Sequence, residues 1–286
     1  LPTPWLTERH GYDPTLSIAG SAAGGSAGIQ ADLKTFQELD VFGMSTITAI
    51  VGRHPKTEKN VHPLTIEAIE GQLHTAHLQT GVDVVKTGML FSKEVIETVT
   101  DFIKKHHFQH VVVDPVMVGK MKSKLLKDDA IVALKEKLIP LATIITPNMI
   151  EASILLDDRP VNTEADIRQA AIDLYHLSAK HVLVKGGRLE GPAIDCLYNG
   201  HELVTVKAPR IHTENTSGAG CTYSAAIAAF LAKGYTTKDA VIKAKSFVTT
   251  AIEHSFSYTG LVGPTYHAAE RNFGEAHPIE VQVENI

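Results

Sequence analysis

Gly218-Ala219-Gly220 runs directly into Cys221 and then into a stretch rich in Ala, Ile and Phe, with few helix breakers as far as Phe230. Two glycines ahead of such a stretch predict a tight turn that opens a buried helix. A helix start leaves backbone N–H groups without partners. With the positive end of the helix dipole behind them, they suit a phosphate or a developing oxyanion. A thiol in that first turn, Cys221, is expected to have a stabilised thiolate and a lowered pKa, which fits it to take a proton from a substrate hydroxyl. The same spacing also fits a plain helix start in which Cys221 is a small buried residue.

Other chemistry-bearing residues stand just past short β-branched runs. Asp114 follows Val111-Val112-Val113 and reads as a ligand for metal-bound water or phosphate, or as a turn former. Asn148 and Glu151 are three apart at a strand-to-helix junction, where an amide and a carboxylate can face one point. They match Mg²⁺ held largely through waters, and equally a capping box. Lys185-Gly186-Gly187 offers a cation and a turn to a nucleotide phosphate. The segment 119–124, with Lys120, is a basic loop able to close over phosphates or to remain a solvated charge run. The small-residue loop 21–28 fits neither the P-loop nor the dinucleotide pattern, and leaves room for a flat organic ligand. Met89, after Lys86-Thr87-Gly88, offers a soft apolar wall to a ring or is plain core. His74 and His77 share a helix face, but no third ligand of suitable spacing accompanies them.

The elements that must position these residues alternate. Strands are expected over 16–20, 45–51, 83–87, 110–114, 143–146, 181–185, 195–198 and 203–207, and helices near 29–39, 65–80, 93–106, 129–138, 149–155, 164–177, 221–233 and 238–254. Runs apolar on both faces, such as Val111-Val112-Val113 and Ile144-Ile145, are the mark of parallel strands covered on each side. Strand–helix alternation predicts a doubly wound sheet, in which ligands bind outside the carboxyl ends of the strands. Residues 1–14, with Pro2, Pro4 and Pro14, read as an irregular leader before a single domain over 15–286.

Composition narrows the class. The chain has 286 residues, 44% of them hydrophobic and 21% charged, enough for one large α/β domain. A net charge of −5 argues against a nucleic-acid or anionic-membrane surface, and no apolar run reaches membrane length. Cys196 and Cys221 form neither a disulfide framework nor a metal spacing, from which a reducing, cytoplasmic location is expected.

From about residue 16 to 272 the chain resembles the ribokinase-like vitamin kinases, in the branch of hydroxymethylpyrimidine (phosphate) kinases and bacterial pyridoxal kinases. The resemblance rests on Ile18-Ala19-Gly20-Ser21, the run from Ala27 to Phe36, Lys86-Thr87-Gly88-Met89-Leu90, Asp114-Pro115-Val116-Met117-Val118, Thr146-Pro147-Asn148 with Glu151-Ala152, Val184-Lys185-Gly186-Gly187, and Gly218-Ala219-Gly220-Cys221. It implies a three-layer α/β/α sandwich with a mostly parallel, doubly wound central sheet. It implies ATP- and Mg²⁺-dependent transfer of the γ-phosphoryl group to a hydroxymethyl on a pyridine or pyrimidine ring, in a homodimer. Carried over, Cys221 stands where the base acts, in place of the wider superfamily's aspartate, and the backbone of Gly218, Ala219 and Gly220 forms the anion hole. Asp114, Asn148 and Glu151 organise the metal, Lys185, Gly187, Asn148 and Lys120 approach the nucleotide, and Gly20, Ser21, Val51, Arg53, Met89 and Val116 line the ring pocket.

Three positions depart from the family pattern. Ala22 stands where an aspartate usually follows the serine, Arg53 where a ring-binding glutamine or methionine is usual, and Gly119 where some pyridoxal-using relatives carry a lid cysteine. Loss of the glutamine and the likeness of residues 247–267 to pyridoxal-using enzymes favour pyridoxal. The thiamin pyrimidine is the close alternative, and a catalytically silent vitamer-binding protein is the alternative from another class.

Overall fold

The computed structural model describes residues 13–52, 56, 60–118, 126–258, 260–274 and 277–286. Residues 1–12 of the expected leader lie outside these, as do Arg53, Gly119 and Lys120. Pro14 belongs to the fold instead, since its carbonyl accepts from the N–H of Asp83 at 2.9 Å.

The strands are β1 (Thr15–Ala22), β2 (Gly43–Val51), β3 (Val61–Pro63), β4 (Val84–Thr87), β5 (His110–Val113), β6 (Ile144–Ile145), β7 (Val182–Lys185), β8 (Ala193–Tyr198), β9 (Glu202–Ala208) and β10 (Glu280–Asn285). They form one sheet in the order β10-β9-β8-β7-β6-β5-β4-β1-β2-β3. From β7 through β2 neighbours are parallel, while β3, β8, β9 and β10 are joined antiparallel at the two ends. Topology changes direction between β4, β1 and β2, the kind of switch point at which open α/β sheets form crevices.

The two-sided apolar strands sort their side chains into two cores. Val111, Val113, Ile145, Val182 and Val184 pack with helices α2 (Ile66–Gln79), α3 (Lys93–His106), α4 (Asp128–Ala133), α5 (Met149–Leu155) and α6 (Glu164–Tyr175). The alternate residues Val112, Ile144 and Leu183 pack with α1 (Ile29–Glu38), α7 (Ala219–Ala232) and α8 (Thr237–Glu253) on the opposite face. A short α9 (Ala269–Phe273) follows α8. This is the expected three-layer sandwich. Helix α7 is buried from Thr222 to Ala229, and its run of small residues lets it lie close against the sheet. Among the described residues no helix is long and apolar enough to cross a membrane.

Differences from the sequence reading have local causes. The helix expected over 129–138 is α-helical only to Ala133, then widens to a π turn over Leu134–Leu138 and tightens to a 3₁₀ turn over Ile139–Leu141. Pro140, which has no N–H and crowds the preceding turn, accounts for that ending. Strands β3 and β10 were not legible. The first is three residues ending in a proline, and every residue of the second is exposed, so neither presents a buried face.

Candidate active site

The carboxyl ends of β1, β2, β4, β5, β6 and β7 open into a cavity of about 620 Å³. Gly20, Val51, Gly88, Met89, Val116 and Val118 supply a largely apolar wall, and Asn60 a polar one. A second cavity of about 810 Å³ lies beyond α7, walled by Pro209, Ile211, Val248 and Ile252 and edged by Arg188, Arg210 and Lys245. The two share Asn148, Lys185, Thr216, Ala219 and Gly220. The two cavities therefore meet at the glycine corner.

The corner is built from both sides. Gly218 has φ 84°, and a Cβ there would lie 1.6 Å from the carbonyl oxygen of Ser26, so only glycine fits. Ser26 Oγ and Ser217 Oγ are 2.9 Å apart, tying the 21–28 loop to the corner. From the other side, Ser217 N–H donates to Gly263 O at 3.0 Å, and Thr265 N–H donates to Ser217 O at 3.2 Å. Of the three backbone N–H groups singled out in the sequence, that of Ala219 is already engaged. Ala219 N–H is spent on Thr216 O at 3.2 Å. Gly220 and Cys221, at the second and third positions of α7, are the first-turn residues whose N–H groups have no acceptor within the helix.

A cation and two carboxylates stand beside this corner. A Cβ on Gly220 would lie 3.5 Å from Lys185 Nζ, and that ammonium donates to Asp114 Oδ1 at 3.0 Å. Asp114 is 3% exposed and also accepts from Thr146 Oγ1 and Ser224 Oγ, both at 3.1 Å. Burial opposes the charge on Lys185, but Asp114 and Glu151 outweigh it and hold the ammonium above its ordinary range. Asn148 caps α5, its Oδ1 accepting from Ile150 N–H at 2.9 Å and Glu151 N–H at 3.1 Å, while Glu151 Oε2 accepts from Asn148 N–H at 2.9 Å. The capping box and the site are thus the same residues. Both N–H bonds end on the Asn148 oxygen, so its two lone pairs are engaged within the cap.

Burial pushes the Glu151 carboxyl from 4.5 up to about 7; Lys185 opposes the rise and Asp114 adds to it. A carboxyl raised by folding leaves stability complete below its unfolded value and loses it as pH climbs through the folded one. Glu151→Gln cannot ionise. Its stability relative to the native chain is expected to improve by on the order of 2–3 kcal/mol between about pH 4 and about pH 8. Urea denaturation at the two pH values measures this, and a difference that stays constant with pH would contradict it.

Cys221 corrects the sequence reading most clearly. It opens onto the first cavity, and its sulfur accepts from Gly28 N–H at 3.5 Å. Yet burial pushes the thiol from 9.0 up to about 11, with Lys86 and the Gly28 N–H opposing and Asp32 and Asp114 adding. Cys221 is half-buried, and the burial of its surroundings outweighs the charge of Lys86.

The remaining sequence candidates divide. Gly20, Val51, Met89 and Val116 line the first cavity and Gly187 the second. Ser21 lies off the lining, its Oγ accepting from Gln30 Nε2 at 2.7 Å. His77 packs edge-on to Phe102 and Phe108, and among the described residues no three His, Cys, Asp or Glu side chains are placed to hold a metal. Residues not singled out by sequence include Arg210, whose guanidinium donates to the carbonyls of Gly187, Leu189, Gly191 and Pro192 and pins the loop that edges the second cavity. Ser224 was also missed, although its spacing of three from Cys221 places both on one helix face.

An open α/β sheet with these two adjoining spaces has the architecture of the ribokinase-like kinases. The profile of the phosphomethylpyrimidine kinase family matches residues 23–266, and the chain belongs to that family. It is 45% identical over 260 residues to a pyridoxine kinase of Bacillus subtilis, covering 90% of this chain and 96% of that one. It is 42% identical over 256 residues to the hydroxymethylpyrimidine/phosphomethylpyrimidine kinase of the same organism, covering 89% and 94%. Among solved structures, the pyridoxal kinase from Staphylococcus aureus in complex with AMP-PCP and pyridoxal superposes with a TM-score of 0.88 at 38% identity, over 97% of this chain and 100% of that one.

Proposed function

We propose that the chain transfers the γ-phosphoryl group of ATP to the hydroxymethyl group of pyridoxal or pyridoxine, forming pyridoxal 5′-phosphate or its alcohol counterpart in vitamin B6 salvage. The observation that carries this reading is the meeting of the two cavities at Gly220, beside Lys185 and next to Cys221. The nucleotide occupies the space edged by Gly187 and Arg210, with its phosphates toward Lys185 and Asn148. The vitamer ring lies between Met89, Val51 and Val116, with its hydroxymethyl toward Cys221. As the alcohol oxygen bonds to the γ-phosphorus, the bond to the ADP oxygen breaks and the alcohol proton passes to the Cys221 thiolate. The Gly220 and Cys221 N–H groups and the Lys185 ammonium face the oxygens on which charge is spread.

Asp114 and Glu151 fit a magnesium ion held mainly through water and phosphate oxygens, since two buried carboxylates with one lysine leave the site able to take a cation. Bound there, the ion would neutralise phosphate charge.

The second reading, a hydroxymethylpyrimidine kinase of thiamin synthesis, is favoured by the 42% identity to the Bacillus subtilis enzyme of that name. The apolar wall of the first cavity accepts either ring. An ADP-release assay with pyridoxal, pyridoxine and hydroxymethylpyrimidine separates the readings. The highest kcat/KM is expected with pyridoxal; a clear preference for the pyrimidine would transfer the assignment. Binding of one of the three without ADP release would leave a vitamer-binding protein.

A further inference from the structure

Beneath the first cavity lies a charged pair that the phosphoryl-transfer reading does not use. Lys86 of β4 and Asp32 of α1 are both fully buried. Lys86 Nζ donates to both carboxylate oxygens, at 3.0 and 2.8 Å, and Ser17 Oγ of β1 donates to the second of them at 2.5 Å. An ion pair removed wholly from water contributes little net stability, and apolar residues of similar volume often serve as well. Packing alone therefore supplies no reason for it.

Its position supplies one. A hydrogen-bonded path leads from the pair to the sulfur: Gly28 N–H donates to Cys221 Sγ at 3.5 Å, Asp32 N–H donates to Gly28 O at 3.0 Å, and the Asp32 carboxylate grips Lys86. Gly28 itself is held at φ 61° with its Cα against the Gly20 carbonyl, where a Cβ would come within 2.1 Å, so this path is fixed in place. The ammonium lies directly under the cavity floor. A Cβ on Gly88, which lines that floor, would be 3.2 Å from Lys86 Nζ. The groups acting on Cys221 are Lys86, Lys185 and the Gly28 N–H, which favour its anion, and Asp32 and Asp114, which oppose it; Lys86 leads the charged groups.

We propose that Asp32 and Lys86 are positioning residues for Cys221: Asp32 fixes the Lys86 ammonium under the cavity floor, and the ammonium favours the anionic sulfur that receives the alcohol proton. This rests on the proposed role of Cys221, but the titration of the thiol can be read without substrate. The measurement is the rate of iodoacetamide alkylation at Cys221 against pH, followed by peptide mass on the full chain, with circular dichroism and thermal melting alongside. In the charge-free pair Asp32→Asn with Lys86→Met, the midpoint is expected to move up by about one pH unit, so that alkylation at a given pH slows about tenfold. Asp32→Asn alone removes the counter-charge and is expected to move it down. A structural role alone would lower the melting temperature and leave both midpoints in place. An unmoved midpoint in a folded double variant overturns the proposal, and if that variant does not fold, an unmoved or raised midpoint in Asp32→Asn does so. Shifted midpoints with unchanged turnover would keep the charge effect of the pair on the sulfur and overturn the role of Cys221 as acceptor of the alcohol proton.

Discussion

Cys221→Ala is expected to lower kcat by about 10²–10⁴-fold, the range for loss of a general base, while leaving ATP affinity nearly unchanged. The two halves of that expectation come from different cavities. Cys221 lines the space proposed for the acceptor and is absent from the lining of the space proposed for the nucleotide. Because burial pushes the thiol up to about 11, the resting sulfur is protonated near neutrality and only its small anionic fraction can take a proton. Native turnover should therefore climb with pH on the alkaline side, by up to about tenfold per unit while chemistry limits the rate. The alanine variant should lose that slope. Steady-state kinetics across a pH series, with nucleotide binding measured by calorimetry, tests both parts. Unaltered turnover in the variant would take Cys221 out of the mechanism.

Gly218→Ala is the second large effect. At φ 84° an L-residue pays about 1–2 kcal/mol, and the added Cβ, 1.6 Å from Ser26 O and 2.8 Å from Ser26 C, meets backbone that cannot swing away as a side chain would. Relief must come from moving the 21–28 loop, and with it the Gly28 N–H that faces the Cys221 sulfur. The Gly220 and Cys221 N–H groups then turn off their target, and loss of such a donor costs about 10²–10³ in kcat. A matched control is Gly71→Ala, in helix α2 away from both cavities, whose Cβ would have nothing within 4 Å, and which should keep native turnover. Native kcat and melting temperature in Gly218→Ala would show that the corner does not cradle the transferred group.

Where the residues themselves carry a two-sided apolar pattern, the sequence reading was close. Helices over Lys93–His106 and Met149–Leu155 fall where expected, because Ser92 and Asn148 provide side-chain caps that mark their starts. Most candidate site residues were legible for a related reason. In a parallel sheet the residue just past each buried strand emerges at one edge, so Asp114, Asn148 and Lys185 converge without any long-range information. Ser21 shows the limit of that reasoning: it too follows buried strand residues, but Gln30, nine residues on in the first turn of α1, captures its hydroxyl. The charge state of Cys221 was not legible either. A first-turn position announces the helix dipole, whereas burial and the charges of Lys86, Asp32 and Asp114, all distant in sequence, act on the sulfur only in the folded chain.

From sequence alone followed the strand–helix alternation, the two-faced burial of the central strands and the residue types along the cleft, since periodicity and turn chemistry act over a few neighbouring residues. Only the tertiary structure brought Ser26 against Gly218, Gly28 against Cys221 and Asp32 against Lys86, pairs separated by 192, 193 and 54 positions. Burial, close backbone approach and the balance of charge around a sulfur are properties of such distant pairs, and no local pattern encodes them.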